Sequence, residues 1–215
     1  MWHLEYDERH AMVSDKVIGR LSLYRRLLTS LRDGPQQYLF SHELASLVGV
    51  TAAQVRRDIM HIGYSGNPNR GYDVAELVKS IEIFIDPKEL QFAALVGVGN
   101  LGRAILSYFS GRRPKLSIVA AFDTDPARYD RVVHGCRCYA IEDLDSIVSQ
   151  TGINVGIVTV PATEAQKVTD MLVNVGVKGI LNFAPHPLHV SPDVYVEDID
   201  MTMSLEKVAY FARKL

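Results

Sequence analysis

The chain has two cysteines, Cys136 and Cys138, and one tryptophan. Lying two residues apart, the thiols are too close in sequence to bridge distant elements, and a reducing compartment would keep them reduced. Buried thiols are expected. Also missing is any apolar run near the roughly 18 residues that a membrane-spanning helix needs. The opening stretch MWHLEYDERHAMVSDK mixes acids and bases and lacks the apolar stretch of a secretory signal. A cytoplasmic location with no membrane partner is therefore expected. No internal repeat or low-complexity tract occurs, and 47% hydrophobic against 22% charged residues is enough apolar material for a packed core.

The formal net charge of −2 hides an asymmetry. Between Ser14 and Tyr72 eight bases (Lys16, Arg20, Arg25, Arg26, Arg32, Arg56, Arg57 and Arg70) face four acids (Asp15, Asp33, Glu43 and Asp58), while acids are in excess from Asp73 onward. A basic N-terminal third is suited to a nucleic-acid partner.

The pattern of elements changes near residue 85. Before it the chain reads as helices and a hairpin; after it, short apolar runs (92–98, 116–122, 155–160 and 179–183) alternate with helical segments. These runs do not alternate with polar residues, as expected of parallel strands covered on both faces. The fold class expected is α/β: an N-terminal winged helix over residues 1–85, a Rossmann-like doubly wound parallel sheet over 86–200, and a C-terminal helix over 201–215. Asp86-Pro87 marks the first boundary, since proline disfavours helix in the residue before it. The last helix, expected over 203–214, carries Leu205, Val208, Ala209 and Ala212 along one stripe with Phe211 beside it, and needs a surface to pack on.

The segment ALVGVGNLGRAILSYF contains GxGxxG at Gly97, Gly99 and Gly102, after an apolar strand and ahead of a helical pattern. In that setting the first glycine allows a tight turn, the second lets backbone approach a pyrophosphate, and the third lets helix and strand pack closely. The helix N-terminus then offers free N–H donors. The second strand ends at Asp123, at the spacing from the loop expected of a carboxylate that accepts from an adenosine ribose diol and repels a 2′-phosphate. NAD(H) is thus expected over NADP, with Arg128 as the residue that would favour the latter. Two alternatives stay open at this point: a plain strand-to-helix turn, and CoA or another nucleotide on the same fold.

Residues 38–63, YLFSHELASLVGVTAAQVRRDIMHIG, have the layout of a helix-turn-helix. Ser41 is expected to cap a first helix carrying Leu44 and Leu47 inward, Gly49 to make the turn, and Thr51 with Gln54 to form a capping box for the second. Val55, Ile59 and Ile62 would face the core. Gln54, Arg56 and Arg57 are left for solvent or DNA, and Arg and Gln are the side chains that read guanine and adenine edges in the major groove. The glycine- and asparagine-rich 63–71 would form a wing, with Arg70 in reach of a phosphate. A helical oligomerisation module with a solvated basic face is the alternative.

The stretches GRLSLYRRLL, ELASLVGVTAAQVRRDI, GYDV, VGVGNLGRAI, AAFDTDP, TVPATEAQ, GILNFAP and VEDIDMTMSLEKVAYF, in that order over residues 14–215, resemble the Rex family of redox-sensing transcriptional repressors. The resemblance implies a homodimer that binds operator DNA through its winged helices, swaps its C-terminal helices and binds NADH or NAD⁺. In that family NADH favours a closed arrangement that leaves DNA, while NAD⁺ permits binding. Carried over by position, it implies that Gly97, Val98, Gly99, Asn100, Leu101 and Gly102 hold the pyrophosphate and Asp123 the ribose. Thr159, Val160 and Pro161 would flank the nicotinamide, Tyr108 would serve as a relay aromatic, and Phe183 would reach the partner's nicotinamide. On the DNA side it implies Ser41, Thr51, Gln54, Arg56, Arg57 and Arg70. The wing departs from the family pattern: residues 63–74 read GYSGNPNRGYDV where relatives run close to GEFGKRGVGYDV, so Asn67 and Pro68 stand near a usual basic pair. Weaker or redistributed phosphate contacts, or an altered operator preference, are expected. Asn100 replaces an arginine of some relatives and Asn182 an acid, which sets the details of their inter-subunit switch apart.

His134, Cys136 and Cys138 would share a strand face, but same-face neighbours rarely converge on one ion, and no metal is expected. An NAD-dependent oxidoreductase would need a placed proton donor and a substrate domain. Too few residues follow Phe183 to build one, and the candidates His186 and Tyr108 have no orienting partner in sequence. His189, in the same loop as His186, reads as a surface residue. No catalytic residue is expected.

Overall fold

The computed structural model describes residues 13–32, 34–112 and 115–213. Residues 1–12 of the expected first domain, and Lys214 and Leu215 of the expected last helix, lie outside them. The chain divides into two compact units, Met1–Pro87 and Lys88–Leu215.

In the first unit, α1 (Asp15–Arg32) places Leu21, Tyr24 and Leu28 along one stripe, and all three are fully buried. They pack with Leu44 of α2 (Ser41–Val48), Val55 and Ile59 of α3 (Ala52–His61), and Leu77 and Ile81 of α4 (Val74–Ile85). Between α3 and α4 the chain makes a narrow wing. Its base pairs β1 (Tyr38–Leu39) antiparallel with β2 (Tyr72–Asp73), and its tip closes through an Asn67–Gly71 bridge. Gly71 sits at φ +82, and a Cβ there would lie 2.5 Å from the Leu39 carbonyl oxygen, so only glycine fits. Asp73 caps α4 by accepting from the Glu76 N–H at 3.0 Å. That helix stops where Asp86, ahead of Pro87, turns extended, and Asp86 accepts from Arg25 of α1 at 2.5 Å.

The second unit is a seven-stranded sheet. Its strands are β3 (Gln91–Val96), β4 (Leu116–Asp123), β5 (Arg131–Val133), β6 (Cys136–Ala140), β7 (Val155–Val158), β8 (Gly179–Asn182) and β9 (Tyr195–Asp198), in the order β5-β6-β4-β3-β7-β8-β9. All neighbours are parallel except β5 with β6. Without the antiparallel edge strand β5, the order is the 3-2-1-4-5-6 of a dinucleotide-binding sheet, whose direction of winding reverses between β3 and β7. Ligands in such sheets bind at the carboxyl ends of the strands flanking that reversal. The helices α5 (Asn100–Phe109), α6 (Leu144–Thr151) and α7 (Ala162–Asn174) supply the crossovers. The final helix is α8 (Met201–Ala212); among the described residues none of its side chains is buried, and Leu205, Val208 and Phe211 are each more than half exposed.

Both cysteines point inward from β6 on either side of exposed Arg137. His134 instead occupies the β5–β6 turn at φ +48, exposed, so the three residues expected on one strand face do not share one. Burial pushes the Cys136 thiol up to about 12 and raises Cys138 as well. Since the thiolate is the nucleophile, iodoacetamide at pH 8 is expected to label both more than about a hundredfold slower in the native protein than in urea. Labelling at the rate of free thiols would show that this face of β6 is open.

Candidate functional site

The glycine loop joins β3 to α5 at the winding reversal, and its three glycines have three different surroundings. Gly97 has φ +102, and a Cβ there would stand 2.6 Å from the Thr159 carbonyl oxygen. A Cβ on Gly102 would fall 2.0 Å from the Gly97 carbonyl oxygen and 3.1 Å from the Leu95 side chain. Gly99 has ordinary extended backbone, and a Cβ on it would meet nothing within 4 Å. Two glycines thus serve the fold, while the third leaves open space over the loop. The first helical bond of α5 runs from the Arg103 N–H to the Gly99 carbonyl, 3.0 Å. The amides of Asn100, Leu101 and Gly102 precede it and project from the helix N-terminus, the arrangement that receives phosphate oxygens. Asn100 is exposed and accepts from Arg103 at 2.7 Å, which places a guanidinium beside the same opening.

Asp123 ends β4 and is 6% exposed. One carboxylate oxygen accepts from the Val98 N–H at 2.7 Å, the other from the Asp125 N–H at 2.9 Å. The carboxylate therefore ties the end of β4 to the loop, and Oδ1, with one bond made, retains a lone pair for a further donor, while Oδ2 also faces Arg128. Arg128 contacts Asp125 at 3.1 Å and Asp123 at 3.5 Å, so its charge is shared between two acids. At the end of β7, Thr159 donates its hydroxyl to the Gly97 carbonyl at 2.8 Å and its N–H to the Val96 carbonyl at 2.9 Å. Val160 packs toward Gly97, and Pro161 precedes α7. Phe183 follows β8, half-buried, with its N–H on the Val158 carbonyl at 2.9 Å. The strand ends thus bring Gly97–Gly102, Asp123, Thr159, Val160, Pro161 and Phe183 to one end of the sheet.

Tyr108 is not among them. It lies near the other end of α5, about 12 Å along the axis from Asn100 at the usual helical rise, more than half exposed under the Arg112 guanidinium. Asn182, fully buried, braces the loop after β8 by donating to the His186 carbonyl and Asp198 while accepting from the Ala184 N–H.

In the first unit α2, Gly49 (φ +71) and α3 form the helix-turn-helix. Several local expectations need correction. Ser41 is the first residue of α2, not its cap: the Phe40 N–H donates to Glu43 at 2.6 Å, and the Ser41 hydroxyl accepts from Arg56 at 3.0 Å. Leu47 faces solvent, and Ala45 takes the inward position beside Leu44, because the eight-residue helix presents only one short stripe. Thr51 does cap α3 by accepting from the Gln54 N–H at 3.1 Å, but the Gln54 side chain goes elsewhere and the capping box stays half made. Arg56 and Arg57 are exposed on α3, and Arg70 stands on the wing 5.8 Å from the Tyr38 ring.

A buried ionic cluster went unread in the sequence. Asp58, fully buried on the inner side of α3, accepts from Arg20 Nε and Nη2 at 2.7 and 2.8 Å, from the Tyr24 hydroxyl at 2.8 Å and from Gln54 Nε2 at 2.8 Å. Burial alone would raise the Asp58 carboxyl, but these bonds and the Arg20 charge outweigh it and hold the group below its usual range. Burial, with the bond to Asp58, raises Tyr24. The signal was available in GRLSLYRR, whose Arg20 and Tyr24 are four apart and so share a helix face.

A helix-turn-helix with an exposed basic helix, in one chain with a dinucleotide-type sheet, defines a ligand-responsive DNA-binding protein. The family described as "CoA binding domain" matches residues 89–186, and one described as "Putative DNA-binding protein N-terminus" matches residues 12–59. The redox-sensing transcriptional repressor Rex of Limosilactobacillus reuteri is 41% identical over 194 residues, covering 90% of this chain and 91% of its own. Its counterpart in Listeria monocytogenes is 39% identical over 204 residues, 95% of each chain. Among solved structures, the repressor RSP in complex with NAD⁺ and operator DNA superposes with a TM-score of 0.87 at 32% identity, covering 94% of both chains. RSP in complex with NADH gives 0.83 at 31% identity, over 94% of this chain and 95% of that one. The chain belongs to the Rex family of redox-sensing transcriptional repressors. Membership sets aside the oxidoreductase alternative, and with it any enzymatic role for His186 or Tyr108.

Proposed function

We propose that the chain is a cytoplasmic homodimeric repressor that binds operator DNA and lets go when NADH rises relative to NAD⁺. The observation that carries this reading is the pairing, in one chain, of exposed arginines on a capped recognition helix with a glycine cradle that has free space over Gly99. In this reading residues 1–85 are the DNA-binding part, 86–200 the NAD(H)-binding part and 201–215 the dimerisation helix, whose bare apolar face would be covered by a second copy.

The residues present fit a dinucleotide. The amides of Asn100, Leu101 and Gly102 would hold the pyrophosphate, with Gly97, Val98 and Gly99 shaping the approach. The lone pair left on Asp123 Oδ1 would take a ribose hydroxyl, and an Arg128 already engaged by two acids is a poor receptor for a 2′-phosphate, which favours NAD(H) over NADP(H). Thr159, Val160 and Pro161 would border the nicotinamide, with Phe183 near the partner's ring and Tyr108 as a relay aromatic. Ser41, Thr51, Gln54, Arg56, Arg57 and Arg70 would form the DNA face, with Arg70 as the wing's cation.

A ligand shifts a two-state protein only by its differential affinity, and moving from 1:99 to 99:1 needs about 10⁴-fold, or about 5.5 kcal/mol. The property that distinguishes the two forms is a neutral, puckered dihydronicotinamide against a flat cation, which an aromatic such as Phe183 can sense. The test is a gel-shift titration on a palindromic duplex selected with the protein. NADH should release the DNA, and NAD⁺ and CoA should not; release by NAD⁺ alone, or indifference to both nicotinamide forms, defeats the sensor reading. Arg56→Ala and Arg57→Ala should each weaken operator binding about tenfold or more while the dimer persists in analytical ultracentrifugation.

A further inference from the structure

We infer that Gln54 is a positioning residue: anchored on buried Asp58, its amide aims Arg57 at the DNA, and it reads no base itself. This rests on the reading of α3 as the operator-binding helix, and it revises the expectation that Gln54 faces an adenine edge.

Residues 54, 57 and 58 are neighbours on one helix surface. Gln54 Nε2 donates to Asp58 at 2.8 Å and Gln54 Oε1 accepts from Arg57 Nη2 at 3.0 Å. The orientation of this amide is set by chemistry: an ionised carboxylate only accepts and a guanidinium only donates, so nitrogen must face Asp58 and oxygen Arg57. Asp58 in turn has no freedom to turn away. It is fully buried, and its four acceptor positions are filled by two bonds from Arg20, one from Tyr24 and one from Gln54. The result is a continuous line, Arg20 to Asp58 to Gln54 to Arg57, leading from the inner face of α1 to an exposed guanidinium.

Bidentate reading of adenine uses the amide oxygen and an amide N–H together on one base edge. For Gln54 to present that pair outward it would have to leave both of its partners. One acceptor position of a buried carboxylate would be stripped, and Arg57 would be released to sample its full set of rotamers. Arg56 is held differently, across the turn by the Ser41 hydroxyl at 3.0 Å, so the two arginines are aimed by separate devices.

The test is a double-mutant cycle on the full-length protein with NAD⁺ present. Its probe is the duplex selected from a random library, together with versions changed at each base pair of the half-site. Gln54→Met keeps the side chain's length and removes both bonds. It should weaken binding about tenfold, the size expected of one lost charge-assisted bond, and Arg57→Ala by at least as much. The double variant should then bind no more weakly than Arg57→Ala within about twofold, and both single variants should lose discrimination at the same base pair. Multiplying losses, or relaxed discrimination at a different base pair in Gln54→Met, would overturn the inference. Circular dichroism fixes a temperature at which all variants are folded, and Gln54→Leu replaces a methionine variant that fails to fold. Failure of the wild type to select any duplex would remove the DNA-binding reading, and the inference with it. Operator binding with an additive cycle would remove the inference alone.

Discussion

Gly102→Ala is expected to retain operator binding and lose its reversal by NADH. The added Cβ would stand 2.0 Å from the Gly97 carbonyl oxygen, a backbone atom that cannot swing aside as a side-chain end can. Relief requires α5 to back away from β3 by about an ångström, and overpacking of this kind costs about 1–3 kcal/mol of stability in the second unit. The amides of Asn100, Leu101 and Gly102 move with the helix. Hydrogen bonds tolerate only a few tenths of an ångström, so two charge-assisted bonds lost at about 1.5 kcal/mol or more each amount to about a hundredfold or more in NADH affinity. The arginines of α3 belong to the other compact unit and are untouched. Gly99→Ala separates the two consequences. Its backbone conformation suits alanine and nothing lies within 4 Å of the new Cβ, so the melting temperature should hold while NADH affinity falls. Calorimetric titration with NADH and thermal melting of both variants check this. Wild-type affinity in Gly99→Ala would mean that the phosphates do not pass over that residue.

The second large effect is expected at Asp58. Asp58→Ala leaves the Arg20 guanidinium and the Tyr24 hydroxyl without their shared acceptor, against the buried face of α3 that carries Val55 and Ile59. Breaking one side of a buried pair costs about 3–5 kcal/mol. Arg20 retains some exposure, 24% of its side chain, which argues for the lower figure. That is a large share of a small unit's stability, so operator binding at 37 °C should be severely reduced. The same carboxyl sets an acid limit. Because its folded-state value lies below the ordinary one, the unfolded chain takes up the proton first as pH falls. The stabilisation is complete above the ordinary carboxylate range and disappears as pH drops through that range to the folded-state value. Acid melting of the first unit should be steeper in the wild type than in Asp58→Asn. Equal acid profiles, or a melting temperature of Asp58→Ala within a degree or two of wild type, would show that the cluster carries no such load.

How legible each feature was depended on the distance over which it is encoded. Gly97, Gly99 and Gly102 are separated by a few residues and flanked by an apolar strand and a helical pattern, so loop, strand and helix could be read together, and Asp123 followed at a known spacing. The Thr51 cap, the Gly49 turn and the inward Val55 and Ile59 are equally local. Leu47 faces solvent against its helical spacing because periodicity marks a stripe without telling how wide a short helix's buried face is. The roles expected of Ser41 and Gln54 changed for a different reason. Sequence proximity points each to the nearest backbone amide, whereas Arg56 lies 15 residues beyond Ser41, and Asp58 is drawn to Gln54 only because Arg20 and Tyr24, more than 30 residues away, bury and charge that spot.

The amino-acid order alone carries the two-part organisation, the α/β class, the glycine cradle and the basic recognition helix, because hydrophobic period, capping chemistry and glycine spacing act within a turn or a strand. Folding in three dimensions decides which oxygen each donor meets. It places Thr159 against Gly97, the Asp123 carboxylate against the loop, and Asp58 under Gln54. These choices depend on which polar groups lose their water together, and burial is a property of the packed chain that no single segment contains.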